Sequence, residues 1–126
     1  MNSQPRILLA DDDPAIRKFL SQILRKAGYQ VVMASDGLEA IELLKTEPRP
    51  DLLLLDVMMP ESTGLDVVAK SNELPQPVPA ILMSAIDLPP VQRMVLLASP
   101  TPYLIKPFKP NELLSKIESI LASASI

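Results

Sequence analysis

The sequence predicts a three-layer α/β domain: a parallel five-stranded sheet with helices on both faces. Three observations predict it. Short continuous apolar runs alternate, five times over, with stretches whose apolar residues recur at the helical period. The runs are not polar on alternate positions, which suits strands buried on both faces. Each run halts on a polar residue or beside a proline. Strands separated by helices of this length pair in parallel through right-handed crossovers, and the helices then cover both faces of the sheet.

The elements follow in order. Ile7 to Ala10 is a first buried strand that ends on Asp11-Asp12-Asp13. Pro14 opens a helix in which Ile16, Phe19, Leu20, Ile23 and Leu24 share one face, and Gly28 stops it. Asp13 is expected to cap that helix. Tyr29 to Ala34 is a second strand. Asp36 caps a helix that runs to about Thr46, with Glu39 completing a capping box. Leu52-Leu53-Leu54-Leu55-Asp56 is the third strand, bounded by Pro50 and Pro60. A third helix covers Leu65 to about Glu73, and Asp66 is expected to begin it or to face solvent. Pro79 to Met83 is a fourth strand that stops on Ser84. A fourth helix runs from Pro89 or Pro90 to about Ala98, with Asp87 ahead of it. Tyr103 to Ile105 is a short fifth strand that stops on Lys106-Pro107. A last helix runs from Pro110 to about Ala122, leaving Ser123 to Ile126 as a tail or the start of a linker.

Composition narrows the chemistry. The 126 residues, 48% hydrophobic, are expected to form one domain with a substantial core. A net charge of −3 offers no electrostatic footprint for nucleic acid. With no cysteine there are no disulfides and no thiolate metal sites. With no histidine, imidazole acid/base chemistry, histidine metal ligation and phosphotransfer from a histidine of this chain are excluded. No apolar stretch approaches a membrane span and the N-terminus lacks a signal pattern, so a soluble cytoplasmic domain is expected. Fourteen prolines stand against three glycines, yet they fall at helix starts and between elements, so they punctuate the fold.

In a parallel sheet the carboxyl ends of all strands lie on one edge, where open α/β folds bind ligands. That edge collects Asp11, Asp12 and Asp13 from the first strand, Asp56 from the third, Ser84 from the fourth and Lys106 from the fifth. Clustered carboxylates repel one another, and a hard divalent cation such as Mg²⁺ relieves this with oxygen ligands. A carboxylate nucleophile, a cation, a lysine point charge and a hydroxyl are the parts phosphoryl transfer needs.

The ordered set Ile7–Pro14, Asp36-Gly37-Leu38-Glu39-Ala40, Leu54–Pro60, Ile81–Ala85 and Tyr103–Phe108 resembles the receiver domain of bacterial two-component response regulators across essentially the whole chain. The resemblance implies a flavodoxin-like sheet of order 2-1-3-4-5. It implies Asp56 as phosphoacceptor, served by a sensor histidine kinase or a phosphorylated histidine protein. It implies Mg²⁺ held by Asp11 and Asp12, with Asp12 the favoured direct ligand, together with Asp56 and the main-chain carbonyl of Met58. Ser84 is then the switch hydroxyl, Lys106 the phosphate partner, Tyr103 the aromatic that moves, and Lys106–Pro107 a cis peptide. Phosphorylation would shift the face of helix four, strand five and helix five toward an effector or protein partner. Met58 and Ile86, two residues beyond Asp56 and Ser84, match positions that in the resembled family tune phosphoryl lifetime. Pro102 replaces an acidic residue used in one common dimer mode of the family, which argues against that mode here. Taken alone, Ser84 reads as a strand-end hydroxyl and Tyr103 as a half-buried core aromatic. A haloacid-dehalogenase-like phosphatase is the rival, but Ala15 departs from its opening motif and only Glu112 and Glu118 follow Lys106. A receiver-like scaffold that binds without phosphorylation is the third reading.

Overall fold

A computed structural model describes residues 4–124. The chain alternates strand and helix: β1 (Arg6–Ala10), α1 (Pro14–Lys26), β2 (Gln30–Ala34), α2 (Gly37–Leu44), β3 (Leu52–Asp56), α3 (Gly64–Asn72), β4 (Ala80–Ser84), α4 (Pro90–Ala98), β5 (Tyr103–Ile105) and α5 (Pro110–Ala124). The five strands form one sheet in the order β2-β1-β3-β4-β5, and every pairing is parallel. This is the architecture and the strand order expected from the sequence.

The leucine strand lies in the middle of the sheet and shows why its run is unbroken. Successive side chains of a strand point to opposite faces. Leu53 and Leu55 therefore join Leu8, Ile41, Val67, Leu82 and Leu96 in the cluster beneath α2, α3 and α4. Leu52 and Leu54 join Ile7, Leu9, Leu24, Ile81, Leu113 and Ile117 beneath α1 and α5. All four leucines are fully buried. At roughly 2 kcal/mol for each buried leucine side chain, β3 is a principal source of core stabilisation.

Local signals place the ends. Asp13 Oδ1 accepts from the N–H groups of Ala15 and Ile16, and Pro14 follows as the first helical residue. Gly28 adopts φ 100, in the left-handed region that glycine enters without steric cost. Its N–H donates to the Arg25 carbonyl and that of Tyr29 to the Leu24 carbonyl, which closes α1. Tyr29 is thereby drawn into the helix stop, and β2 begins one residue later than expected.

Other boundaries also moved. Glu39 reaches past Asp36 to the N–H and hydroxyl of Ser35, so the expected capping box is only half formed. Helix α2 ends at Leu44 rather than near Thr46, because the next N–H groups fold back to i−3 carbonyls. Thr63 and Asp66 form a full capping box that moves the start of α3 to Gly64. Strand β4 includes Ser84, one residue beyond the expected end. Pro90 starts α4, with Pro89 at its N-cap. Helix α5 continues to Ala124, so Ser123 and Ala124 are helical rather than a tail; no glycine or proline interrupts that stretch. Ser125 and Ile126 lie outside the described residues. Among the described residues no helix is long and apolar enough to cross a membrane.

Candidate functional site at the carboxyl edge of the sheet

Three of the five buried polar side chains among the described residues are Asp11, Asp56 and Ser84, all at strand ends on one edge. The other two, Ser21 and Ser71, bond to nearby backbone: Ser21 to the Lys18 carbonyl, Ser71 to both polar groups of Val78. The edge therefore concentrates buried polarity that helix packing alone would not require.

Asp56 is the last residue of β3 and 8% exposed. Its Oδ1 accepts from the Met58 N–H at 3.1 Å and its Oδ2 from Lys106 Nζ at 3.1 Å. The same ammonium donates to Asp11 Oδ2 at 3.0 Å. Lys106 thus bridges two carboxylates contributed by residues far apart in the chain. Its main-chain N–H donates to the Ser84 carbonyl at 2.8 Å, tying the end of β5 to the end of β4. The Lys106–Pro107 peptide is cis, as the resemblance implied. Glu47–Pro48 is cis as well, and no reading of the sequence signalled it.

Asp12 differs from Asp11: its side chain is exposed at the mouth of the site. Oxygens of Asp11, Asp12 and Asp56 lie within 4.8 Å of one another, so three hard donors converge on one point. Asp13 faces away and caps α1, as expected. The Met58 side chain is exposed, and its backbone N–H is already engaged by Asp56.

The electrostatics follow from burial. Desolvation pushes the Asp56 carboxyl up from 3.8 to about 6; the charge and hydrogen bond of Lys106 oppose this, and the Asp11 carboxylate adds to it. For Lys106, burial alone would lower the pKa. The hydrogen bond with Asp11 and the charges of Asp56 and Asp11 outweigh it, and the net shift is upward. A lysine held this way stays charged while the acid it contacts is unusually ready to take a proton.

Ser84 Oγ donates to the Ala85 carbonyl at 3.0 Å. The hydroxyl is thus turned onto its own loop. Tyr103 is half-buried and packs against the α2–α4 cluster. The structure brings Asp11, Asp12, Asp56 and Lys106 into one constellation, with Ser84 at its border and Tyr103 on the flank of the sheet.

Two residues that shape the site escaped the sequence reading. Gly64 opens α3 against the Asp56 main chain: a Cβ there would collide with the Asp56 carbonyl, and the Gly64 N–H donates to the Val57 carbonyl at 3.1 Å. Arg17 donates from Nη1 to the Asp11 carbonyl at 2.7 Å. A glycine at a helix start is a weak signal of close approach, and an arginine on α1 reads as a solvated surface charge.

An α/β edge of this kind is shared by a large family of signalling domains. Residues 7–118 match the family model described as the response regulator receiver domain, and the chain belongs to that family. It is 40% identical over 116 residues to the response regulator MprA of Mycobacterium leprae (strain TN), covering 92% of this chain and 50% of that protein. The chain therefore spans about half the length of the curated relatives it matches. Among solved structures it resembles a CheY-like receiver domain protein from Methanospirillum hungatei JF-1, with TM-score 0.85, 30% identity and 96% of each chain covered. It also resembles the receiver domain of a sensor histidine kinase from Pseudomonas aeruginosa PAO1, crystallised with a magnesium ion coordinated in its active site cleft. The TM-score there is 0.84 at 28% identity, covering 95% of this chain and 99% of that one.

Proposed function

We propose that Asp56 accepts a phosphoryl group from a phosphohistidine of a sensor histidine kinase or a histidine phosphotransfer protein. The observation that carries this reading is the ammonium of Lys106 shared between the buried carboxylates of Asp11 and Asp56. An Asp56 oxygen attacks phosphorus, the P–N bond to the donor imidazole breaks, and the electron pair leaves with that imidazole. Lys106 stands where the transferred oxygens would arrive and can exchange a carboxylate partner for a phosphate one. The Met58 N–H holds Asp56 in place for in-line approach.

The donor set fits Mg²⁺: carboxylate oxygens only, no nitrogen or sulfur, with exposed Asp12 at the open side. Asp12 would ligate directly, with Asp11, Asp56 and the Met58 carbonyl completing the protein's share. Bound there, the cation would neutralise charge on the transferred group. The domain acts as a switch rather than a turnover catalyst, with self-catalysed phosphorylation and dephosphorylation at most.

The new charge is read through Ser84 and Lys106. To reach a phosphoryl oxygen, Ser84 must give up the Ala85 carbonyl. Repositioning of the loop before α4, with Tyr103 following, then alters the face of α4, β5 and α5 toward an effector domain or protein partner in the cytoplasm. No direct contact with nucleic acid or membrane is invoked.

The test is labelling. Acetyl phosphate or beryllofluoride with Mg²⁺ should modify the wild-type protein at one residue, and Asp56→Asn should lose all of it. Persistent labelling of Asp56→Asn would overturn the acceptor assignment, and multiple turnovers on generic phosphate esters would favour a phosphatase.

A further inference from the structure

We infer that Arg17 is a positioning residue for the cation site, acting through the peptide that joins Asp11 to Asp12. This rests on the reading of the acidic cluster as a Mg²⁺ site. Each acceptor of Asp11 is taken. Oδ1 accepts from the Asp13 N–H at 2.9 Å, Oδ2 from Lys106 Nζ at 3.0 Å, and the main-chain carbonyl from Arg17 Nη1 at 2.7 Å. That carbonyl belongs to the Asp11–Asp12 peptide. Its orientation therefore sets the direction in which Asp12 leaves the backbone.

The placement of Arg17 needs a cause beyond solubility. It lies at the start of α1, where the helix dipole disfavours a positive charge. Its own N–H donates to the Asp13 carbonyl at 2.9 Å, within the first turn of the helix. Three acids stand just before the helix, yet among the described residues the guanidinium makes no ion pair. It donates to the Asp11 carbonyl instead. Among the described residues the exposed Asp12 carboxylate makes no hydrogen bond or ion pair that would hold its direction, so the fixed peptide is what aims it at the point where the Asp11 and Asp56 oxygens converge. Partners that orient a metal's ligands from behind typically alter affinity by roughly tenfold or more when removed.

Two roles for Arg17 predict opposite signs. If its charge merely offsets the acids, removing it should tighten Mg²⁺ binding, since less repulsion opposes the cation. If it positions Asp12, removing it should weaken binding. Mg²⁺ titration by calorimetry on the unphosphorylated protein reads this without any phosphoryl transfer. Arg17→Met, which keeps the stem and loses the donor, should bind Mg²⁺ about tenfold more weakly. Arg17→Lys, which keeps a cationic donor, should recover most of that loss. In an Asp12→Ala background Arg17→Met should add nothing further, the non-additivity expected of residues acting as one unit. Equal or tighter binding by Arg17→Met overturns the inference, as does full additivity with Asp12→Ala or failure of Arg17→Lys to recover binding. If the wild-type protein binds no Mg²⁺, the cation-site reading falls and takes this inference with it. Wild-type binding with an indifferent Arg17→Met removes this inference alone.

Discussion

Helices α1 and α4 stand on either side of the site and are built differently. Each begins at a proline a few residues beyond the site residues at the end of the preceding strand, Pro14 after Asp11 and Asp12 and Pro90 after Ser84. Helix α1 runs for 13 residues, is capped by Asp13, has Arg25 and Lys26 in its last turn with Gly28 closing the chain just beyond it, and buries Leu20, Ser21 and Leu24. Helix α4 runs for 9 residues, has no side-chain cap and no base in its last turn, and buries only Leu96; neither helix carries an acid in its first turn. Val91, Met94, Val95 and Leu97 face solvent, Met94 at 71% exposure. Caps, favourable end charges and an apolar stripe each stabilise a helix. One helix has all three and the other lacks most of them. The chain thus anchors Asp11 and Asp12 to its firm side and places the loop after Ser84 on its loose side. Segments that move are drawn from the less stable parts of a fold.

This contrast can be broken by substitution. Leu24→Ala should cost about 3–4 kcal/mol in denaturant unfolding, since a fully buried side chain leaves a cavity under α1. Leu96→Ala should cost less, about 2 kcal/mol, because α4 has freer room to settle. Equal losses would remove the asymmetry. The site between the two helices gives an intermediate effect. In Mg²⁺-free buffer at pH 7, Asp56→Asn should be more stable than wild type by about 1–3 kcal/mol, since it removes a buried charge that desolvation disfavours. The folded Asp56 takes its proton near 6 and the free carboxyl near 3.8, so the folded state binds the proton more readily. Wild-type stability from this group therefore rises as pH falls from 6 toward 4, and the gap to Asp56→Asn should narrow across that window. A gap that widens there would contradict the burial argument.

Smaller effects sharpen the contrast. Asp13→Ala should cost about 1 kcal/mol through the lost cap of α1. Met94→Ser, on the exposed face of α4, should change stability by no more than about 0.5 kcal/mol. Amide exchange should then report the difference without mutation: the α4 amides should exchange at least tenfold faster than those of Leu20 to Leu24. Comparable protection would show that α4 is held by something other than its packing.

Much of the site was legible because strand ends are visible in one dimension. A leucine run that stops on Asp56 and the apolar run Ile7 to Ala10 that stops on three acids state where the sheet ends, and parallel pairing brings those ends to one edge. Asp11, Asp12, Asp56, Ser84 and Lys106 could therefore be named as neighbours on that edge before any distance was known. Helix ends were less legible. Thr63 as the cap of α3 and Glu39 bonding to Ser35 depend on backbone direction that residue type does not specify.

By itself, then, the sequence determined the layer architecture, the register of polarity along each strand and the residues that meet at the carboxyl edge. It did so because burial on both faces demands continuous apolar runs, and a polar residue can follow only where the strand leaves the core. Only the tertiary structure decided how those residues divide the work. Lys106 bridges Asp11 and Asp56 across the sheet, Asp12 stays open to solvent, Ser84 faces its own loop, and Arg17 and Gly64 hold the main chain behind the acids. Those contacts join residues distant in sequence or turn on main-chain atoms shared by every residue type, so only the packed chain specifies them.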